Sequence, residues 1–109
     1  MKLLLDHCVP RRLGPLFVGH QVVTAAEMEW DRLRNGVLLS TAANAGIDAM
    51  VTVDQNLKHQ QNLATLPIAV LVIRSVSNDI DELIKLVPLA LEMLTQMPPR
   101  QLVEVPPDE

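Results

Sequence analysis

Short runs of Val, Ile and Leu recur along this 109-residue chain, and they constrain its fold more than any other feature. They lie at residues 3–5, 22–23, 50–53 and 69–73, without the strict alternation of polar and apolar residues that marks a strand with one solvated face. Such runs are typical of strands that are buried on both faces of a sheet. Residues 102–105 are a candidate for one more strand.

Helix signals separate these runs. Pro10 can open a short helix before Gly19. Asn35 is placed to cap a second helix, and Asp79 with Glu82 three residues later predicts a capping box at the start of a third. The side chains expected to face inward are Leu13, Leu16 and Phe17 in the first helix; Val37, Leu38, Thr41, Ala42 and Ala45 in the second; and Ile80, Leu83, Ile84, Val87, Leu91 and Leu94 in the third.

One residue is expected to end the second helix, and another to interrupt the third. Gly46 suits the left-handed residue that follows the second helix, and Pro88 predicts a kink or a restart within the third. Strands that alternate with helices require crossover connections, which favour parallel pairing. The expected class is therefore α/β, a three-layer α/β/α fold with a mostly parallel sheet of four to five strands in the order 2-1-3-4-5. Residues 1–105 should form one domain, followed by a frayed tail at 106–109.

Composition and residue spacing exclude several classes of function and location. The net charge of −4 means that any phosphate site must be local. The single Cys8 cannot form an intramolecular disulfide, which favours a reducing compartment, with the cytoplasm as the default. The leading apolar run ends at Asp6 after three residues, too short for a signal-peptide core or for a membrane span of about 20 residues. The four glycines have neither dinucleotide nor P-loop spacing, so no nucleotide cofactor is expected.

Two acids follow neighbouring strands of the predicted sheet. Asp6 comes directly after the first strand, and Asp54 comes directly after the run at residues 50–53. Because adjacent strands lie about 4.8 Å apart, both carboxylates would come within reach of one Mg²⁺ or Mn²⁺ ion. The alternative is that each Asp only caps a turn after its strand.

Other polar residues are expected around the same crevice. Glu27 is the candidate third carboxylate ligand, and Asn35 can hold a water as well as cap its helix. The polar segment 54–62 is expected to rim the crevice, and an ordinary solvated loop is its alternative. Arg11 and Arg12 are candidates for phosphate binding, and the alternative is that they serve only solubility. Neighbours His7 and Cys8 should point to opposite sides and lack metal-ligand spacing. The candidates for RNA or phosphate binding are Arg11, Arg12, Lys58, Asn56 and Gln60.

Four sequence blocks together resemble a small prokaryotic family of PIN-like proteins. They are LLLDHCVP at residues 3–10, EMEW at 27–30, RNG at 34–36 and VTVDQNL at 51–57, extended by QQNL at 60–63. The resemblance implies a metal-dependent endoribonuclease, with RNA as substrate. It also implies a toxin paired with a cognate antitoxin from a neighbouring gene. In that pattern Asp6 and Asp54 match the two metal-facing acids.

The chain also departs from that pattern. His7 stands where the family often has Glu, and residues 35–37 lack the acid that is common near the start of the helix. Because the chain has fewer acidic residues than the family pattern, an alternative function remains. The protein can be a degenerate, catalytically weak PIN-like binding module, which pairs with itself as a homodimer or with a protein or RNA partner. A phosphoacceptor receiver domain is disfavoured, because His7 replaces the second acid after the first strand and Pro106 with Pro107 stands where a lysine is needed.

Overall fold

A computed structural model describes residues 1–107 of the chain. Five strands form one sheet in the order β2-β1-β3-β4-β5, and every neighbouring pair is parallel. The α/β class and the strand order predicted from the sequence are therefore confirmed. The strands are β1 (Lys2–Leu5), β2 (Gln21–Thr24), β3 (Ala49–Thr52), β4 (Ala69–Ile73) and β5 (Leu102–Val105).

Helical segments connect successive strands. The α-helices are α1 (Asn35–Asn44), α2 (Leu57–Gln60) and α3 (Ile80–Gln96). Two 3₁₀ helices span Arg11–Leu16 and Leu63–Thr65. None of the helices within residues 1–107 is long and apolar enough to cross a bilayer.

The sheet has a separate apolar core on each face. Successive side chains of a strand point to opposite faces, so Leu3 and Leu5 of β1 join one core while Leu4 joins the other. The first core packs against α3 and the first 3₁₀ helix, and the second packs against α1 and α2. Fully burying one leucine side chain contributes about 1.5–3 kcal/mol. Burial on both faces explains why the strands are continuously apolar.

Four positions predicted to face inward are exposed instead. Leu16, Val37 and Ile84 all have substantial solvent exposure, and Ala45 is exposed as well. Helix α1 is rotated so that Leu39 joins the core in place of Val37. Helix α3 buries a narrower stripe, which leaves Ile84 outside it. The buried residues of α3 are Leu83, Val87, Ala90 and Leu94.

The start of α1 differs from the prediction that Asn35 caps it. Arg34 is the N-cap, since its carbonyl accepts the first helical hydrogen bond from Leu38 N at 2.7 Å. Asn35 is already helical, and the Arg34 side chain makes no capping hydrogen bond. Its amide is used in a tertiary contact instead, with Nδ2 donating to Gln60 Oε1 at 3.4 Å. Gly46 has the expected left-handed conformation, with φ of 83°.

Helix α3 confirms its predicted cap. Asp79 Oδ1 accepts a hydrogen bond from Asp81 N at 3.2 Å. The reciprocal half of the capping box is not formed, because Asp79 N donates to Ser77 Oγ and Glu82 pairs with Lys85. The helix continues through Pro88 over 17 residues.

Residues 106 and 107 are contacted by the arginine that directly follows β4. Arg74 donates from its guanidinium to the carbonyls of Pro106 and Pro107, at 3.2 and 3.3 Å. These are the first two residues of the predicted tail at 106–109. Positions 108 and 109 lie outside the described residues.

Candidate active site

The register of β1 and β3 places the two strand-end acids in the same region. Leu5 pairs with Val51, and Asp6 N donates to Val51 O at 2.9 Å. Thr52 is therefore the residue across from Asp6, and Asp54 lies two positions farther along. Strand β3 ends at Thr52, one residue earlier than the apolar run suggests.

Asp6 is buried, with 2% of its surface exposed, and its carboxylate accepts several hydrogen bonds. Its Oδ1 accepts from His7 N at 2.8 Å and contacts His7 Nδ1 at 3.0 Å. Its Oδ2 accepts from Thr52 Oγ1 at 2.9 Å. These donors compensate the cost of burying a charge, which is large without partners.

Thr52 links Asp6 to the segment that carries Asp54. The Thr52 hydroxyl donates its one proton to Asp6 Oδ2 and accepts a hydrogen bond from Asp54 N at 3.1 Å. Asp54 in turn accepts from Asn56 N at 3.0 Å through Oδ1, an Asx turn that fixes its side chain. No hydrogen bond within residues 1–107 occupies Oδ2 of Asp54. One carboxylate oxygen thus remains for a ligand.

A pocket of about 360 Å³ opens at this edge of the sheet. Asp6, Asp54 and Asn35 all line it, as do Ser75 and Ser77 from the connection between β4 and α3. The structure therefore brings together three residues that the sequence predicted for one crevice. They come from the ends of β1 and β3 and from the start of α1.

The polar segment after Asp54 lies beside this pocket and is held by tertiary contacts. Gln60 contacts Asn35 as described, and Gln55 Nε2 donates to Ser75 O at 3.1 Å. Lys58 Nζ lies 3.0 Å from Glu104 Oε1 on β5. The lysine proposed for phosphate binding is thus engaged in an ion pair.

Glu27 lies in a neighbouring groove and does not line the pocket with Asp54. Its Oε1 accepts from Thr24 N at 2.7 Å, and Thr24 Oγ1 accepts from Glu27 N at 3.1 Å. This reciprocal pair closes the turn after β2. Glu27 therefore has a local structural partner, and it lines a groove with Asp6 but not the pocket with Asp54.

The neighbouring groove has a volume of about 1330 Å³ and also contains both arginines of the sequence prediction. Arg11 and Arg12 are exposed at the start of the first 3₁₀ helix. Asp6 and His7 line both the groove and the pocket. The two concavities therefore adjoin at these residues.

Cys8 lies on the pocket side of Asp6. Its Sγ is 3.6 Å from Asp6 Oδ2 and 3.5 Å from Thr52 Oγ1. Burial is the main factor that raises the pKa of Cys8 above its ordinary value of 9.0, while the hydrogen bond with Thr52 acts in the opposite direction. The group is therefore a neutral thiol at pH 7 and a weak hydrogen-bond donor to the acid, not an activated nucleophile.

The oxygen donors of the pocket fit a hard divalent cation with few protein ligands. Mg²⁺ commonly binds through one or two carboxylates and completes its shell with waters and substrate phosphates. Oδ2 of Asp54, Oδ2 of Asp6 and the amide oxygen of Asn35 are the candidate donors. Within residues 1–107 no three His, Cys, Asp or Glu side chains are grouped to hold a metal. The fit is thus to an ion that keeps most of its water.

Thr52 and the serines were not among the residues predicted from the sequence. Strand pairing could have found Thr52, since it lies across from Asp6 once the register is known. Ser75, Ser77 and Asn78 follow β4, the next strand beyond β3. The rule that pointed to Asp6 and Asp54 also applies to that strand end.

Comparison with known proteins identifies no relative of this chain. No protein-family model matches it, and no curated protein or solved structure gives a significant match. The resemblance to PIN-like proteins remains an expectation carried by the sequence blocks. The function is therefore argued from the pocket.

Proposed function

We propose that this protein is a metal-dependent endoribonuclease that hydrolyses RNA phosphodiesters. The observation that carries the proposal is the shared pocket of Asp6 and Asp54, with Asn35 at its rim. Two carboxylates that converge in one crevice repel each other unless a cation or protons compensate their charge. A hard cation fits such a pair, and phosphodiesters are substrates on which such cations act.

Four residues of the candidate site each have their own role in the proposed reaction. Asp54, partly exposed, and Asp6, fixed by its hydrogen bonds, hold Mg²⁺ or Mn²⁺. The bound ion supplies a coordinated water of lowered pKa and offsets charge on the phosphate. Asn35 orients a water at the rim. Thr52 keeps Asp6 and the backbone of Asp54 in a fixed relation.

The adjoining groove extends the proposed substrate path. Arg11 and Arg12 contact the phosphates that flank the scissile bond, since both line the groove that adjoins the pocket at Asp6 and His7. Asn56 and Gln60 contribute neutral hydrogen bonds near Asp54. Lys58 would contact a phosphate only after leaving Glu104. Binding through a few arginines weakens steeply with added salt, even though the whole chain is acidic.

The biological setting follows from the resemblance and is part of the same proposal. The protein acts in the cytoplasm as the toxin of a toxin–antitoxin pair, and a cognate antitoxin encoded beside it holds it inactive. A single free cysteine and the absence of any membrane-spanning helix within residues 1–107 agree with this setting.

Cleavage of single-stranded RNA in the presence of Mn²⁺ tests the proposal. The informative variant is Asp54→Asn, because Asp54 is partly exposed and an Asn can keep the hydrogen bond from Asn56 N. We expect its cleavage rate to fall by about a hundredfold or more. Asp48→Asn is the matched control, since Asp48 is exposed just before the other end of the same strand and bonds Lys2 N.

Chelation of the metal should abolish cleavage by the wild type and by Asp48→Asn. If Asp54→Asn cleaves as fast as the wild type, the activity comes from a contaminant or from another site, and the proposal is wrong. Asp6→Asn is less informative, because an amide NH₂ would face donors that now bind a buried carboxylate.

A binding module is the second candidate, and the thin acidic set favours it. Among residues 1–107 only Asp6 and Asp54 bring a carboxylate to the pocket, and Asp6 is largely occupied by protein donors. In this alternative the domain forms a homodimer or binds a protein or RNA partner without chemistry. Metal binding separates the two candidates, because the enzyme requires a cation in the pocket and the module does not.

A further inference from the structure

The pocket has two walls of different chemistry. Asp6 and Asp54 form an acidic wall at the ends of β1 and β3, whereas Ser75, Ser77 and Asn78 form a neutral wall from the connection between β4 and α3. Within residues 1–107 neither Lys nor Arg lines this pocket. The neutral wall therefore offers hydrogen bonds without a charge that would attract phosphate.

The two serine hydroxyls remain able to donate to a ligand. Ser77 N donates to Ser75 Oγ at 3.4 Å, and Asp79 N donates to Ser77 Oγ at 3.2 Å. Each hydroxyl oxygen thus serves as an acceptor for its own loop, which leaves its proton for an outside acceptor. Asn78 is exposed and adds an amide with both donor and acceptor groups.

One contact fixes the neutral wall relative to the acidic wall. Gln55 Nε2 donates to Ser75 O at 3.1 Å, and Gln55 directly follows Asp54. The segment that carries the acid and the segment that carries the serines are therefore joined by a hydrogen bond. Asp54 and the hydroxyl donors thus line one pocket, which a single nucleotide can enter.

We propose that Ser75, Ser77 and Asn78 are specificity-determining residues that hydrogen-bond the ribose 2′-hydroxyl next to the scissile phosphate. This inference depends on the proposed function and names the substrate group that the neutral wall recognises. A 2′-hydroxyl is neutral and both donates and accepts, which matches serine and asparagine. It is also the group by which a protein distinguishes RNA from DNA at a given site.

The neutral wall suits a sugar better than a second phosphate. A second phosphate beside Asp6 and Asp54 would add negative charge beyond what one divalent cation at the two carboxylates offsets. The arginines that can bind flanking phosphates line the adjoining groove instead. The neutral wall therefore suits a neutral group of the nucleotide at the cleaved bond, and the sugar, unlike the base, is bonded directly to the scissile phosphate.

The test uses an RNA oligonucleotide whose cleavage position has been mapped with the wild-type protein. A second oligonucleotide carries one 2′-deoxy substitution at that position. We expect the wild type to cleave the substituted strand about tenfold more slowly, the loss expected for one or two hydrogen bonds. The triple variant Ser75→Ala, Ser77→Ala, Asn78→Ala should cleave both strands at one rate, near the rate of the wild type on the deoxy strand.

Val76→Ala is the matched control, because Val76 lies between the two serines and its side chain is 96% exposed. It should keep the wild-type preference for the 2′-hydroxyl. A triple variant that keeps the preference overturns the inference. A 2′-hydroxyl that is itself the nucleophile gives a different result, because its removal would abolish cleavage at that position by every variant.

A binding measurement separates this inference from the proposed function. Fluorescence anisotropy in Ca²⁺ compares the affinity of each protein for single-stranded RNA and for DNA of the same sequence. If the wild type cleaves nothing but prefers RNA, and the triple variant loses that preference, the proposed function is wrong and the wall assignment stands. If the wild type binds RNA and DNA equally, the wall assignment is wrong.

Discussion

Thr52 connects the two acids of the candidate site. It is fully buried at the end of β3, where its hydroxyl donates to Asp6 and accepts from the backbone of Asp54. A single hydroxyl can satisfy both groups because it has one proton and two lone pairs. Valine has nearly the same shape and no hydrogen-bonding capacity, so one substitution isolates this function.

Thr52→Val should lower the free energy of unfolding by about 2 kcal/mol, because Asp6 loses a donor and Asp54 N loses an acceptor. Thr52→Ser, which keeps the hydroxyl and loses one methyl group, should cost about 0.8 kcal/mol. Urea denaturation measures both. If the valine variant is as stable as the serine variant, the hydroxyl has no such function.

His20 provides a pH-dependent prediction. Its Nδ1 is buried without a hydrogen bond inside the described part of the chain. Burial first, and then the positive charge of the N-terminal amine, lower the pKa of His20 below its ordinary value of 6.5. The unfolded chain therefore takes up this proton at a higher pH than the folded protein does.

Neutral His20 favours the folded protein, so its full contribution to the free energy of unfolding is present above pH 6.5. That contribution is lost as the pH falls from 6.5 toward the lowered pKa of the folded state. His20→Gln should lose less stability than the wild type between about pH 7.5 and pH 5. Urea midpoints of both proteins across that range measure this difference in pH dependence. His7 and His59 are present in both proteins, so their effects cancel in the comparison. Equal pH dependence in both proteins would contradict the assigned shift.

At the residue scale, the acids could be predicted and their partners could not. Asp6 and Asp54 are recognisable because each follows an apolar run, and such positions meet at one edge of a parallel sheet. Thr52 lies within an apolar strand and has nothing in its local sequence to mark it. Its role depends on the register between β1 and β3, which only the folded sheet defines.

Helix α3 shows how an element can tolerate a residue that usually breaks it. Pro88 lies on the exposed face of the helix, close to the exposed Ile84, whose carbonyl loses its partner N–H. Water can satisfy a carbonyl on that side. The buried stripe of Leu83, Val87, Ala90 and Leu94 keeps the helix docked on both sides of the proline.

Pro88→Ala should raise the free energy of unfolding by about 2 kcal/mol. An interior proline costs about 3 kcal/mol relative to alanine, and the stiffer unfolded chain offsets about 0.4–1 kcal/mol of that. Thermal and urea denaturation measure the change. A loss of stability would mean that the proline fits the helix without strain and acts mainly on the unfolded state.

At the element scale, helix α1 shows why a local signal can fail. Asn is a good N-cap residue, and position 35 directly precedes the apolar part of the helix. In the folded protein its amide contacts Gln60, 25 residues away, and the N-cap residue of the helix makes no side-chain capping hydrogen bond. A tertiary contact at the pocket thus replaces the local interaction that the sequence predicts.

At the scale of the whole molecule, the strand order was the most predictable property. Five apolar runs separated by helix signals leave few ways to bury every strand in one parallel sheet. The same order brings the ends of β1, β3 and β4 side by side. The division of acids between pocket and groove was less predictable, because it depends on how the turn after β2 closes around Glu27.

Calorimetric titration with Mn²⁺ tests most directly whether the ends of β1 and β3 form one cation site. The wild type should bind one ion, Asp54→Asn should bind it at least about tenfold more weakly, and Asp48→Asn should match the wild type. Glu27→Gln should also match the wild type, since Glu27 lines the groove. A wild type that binds no Mn²⁺, or an Asp54→Asn variant with undiminished affinity, would contradict the account.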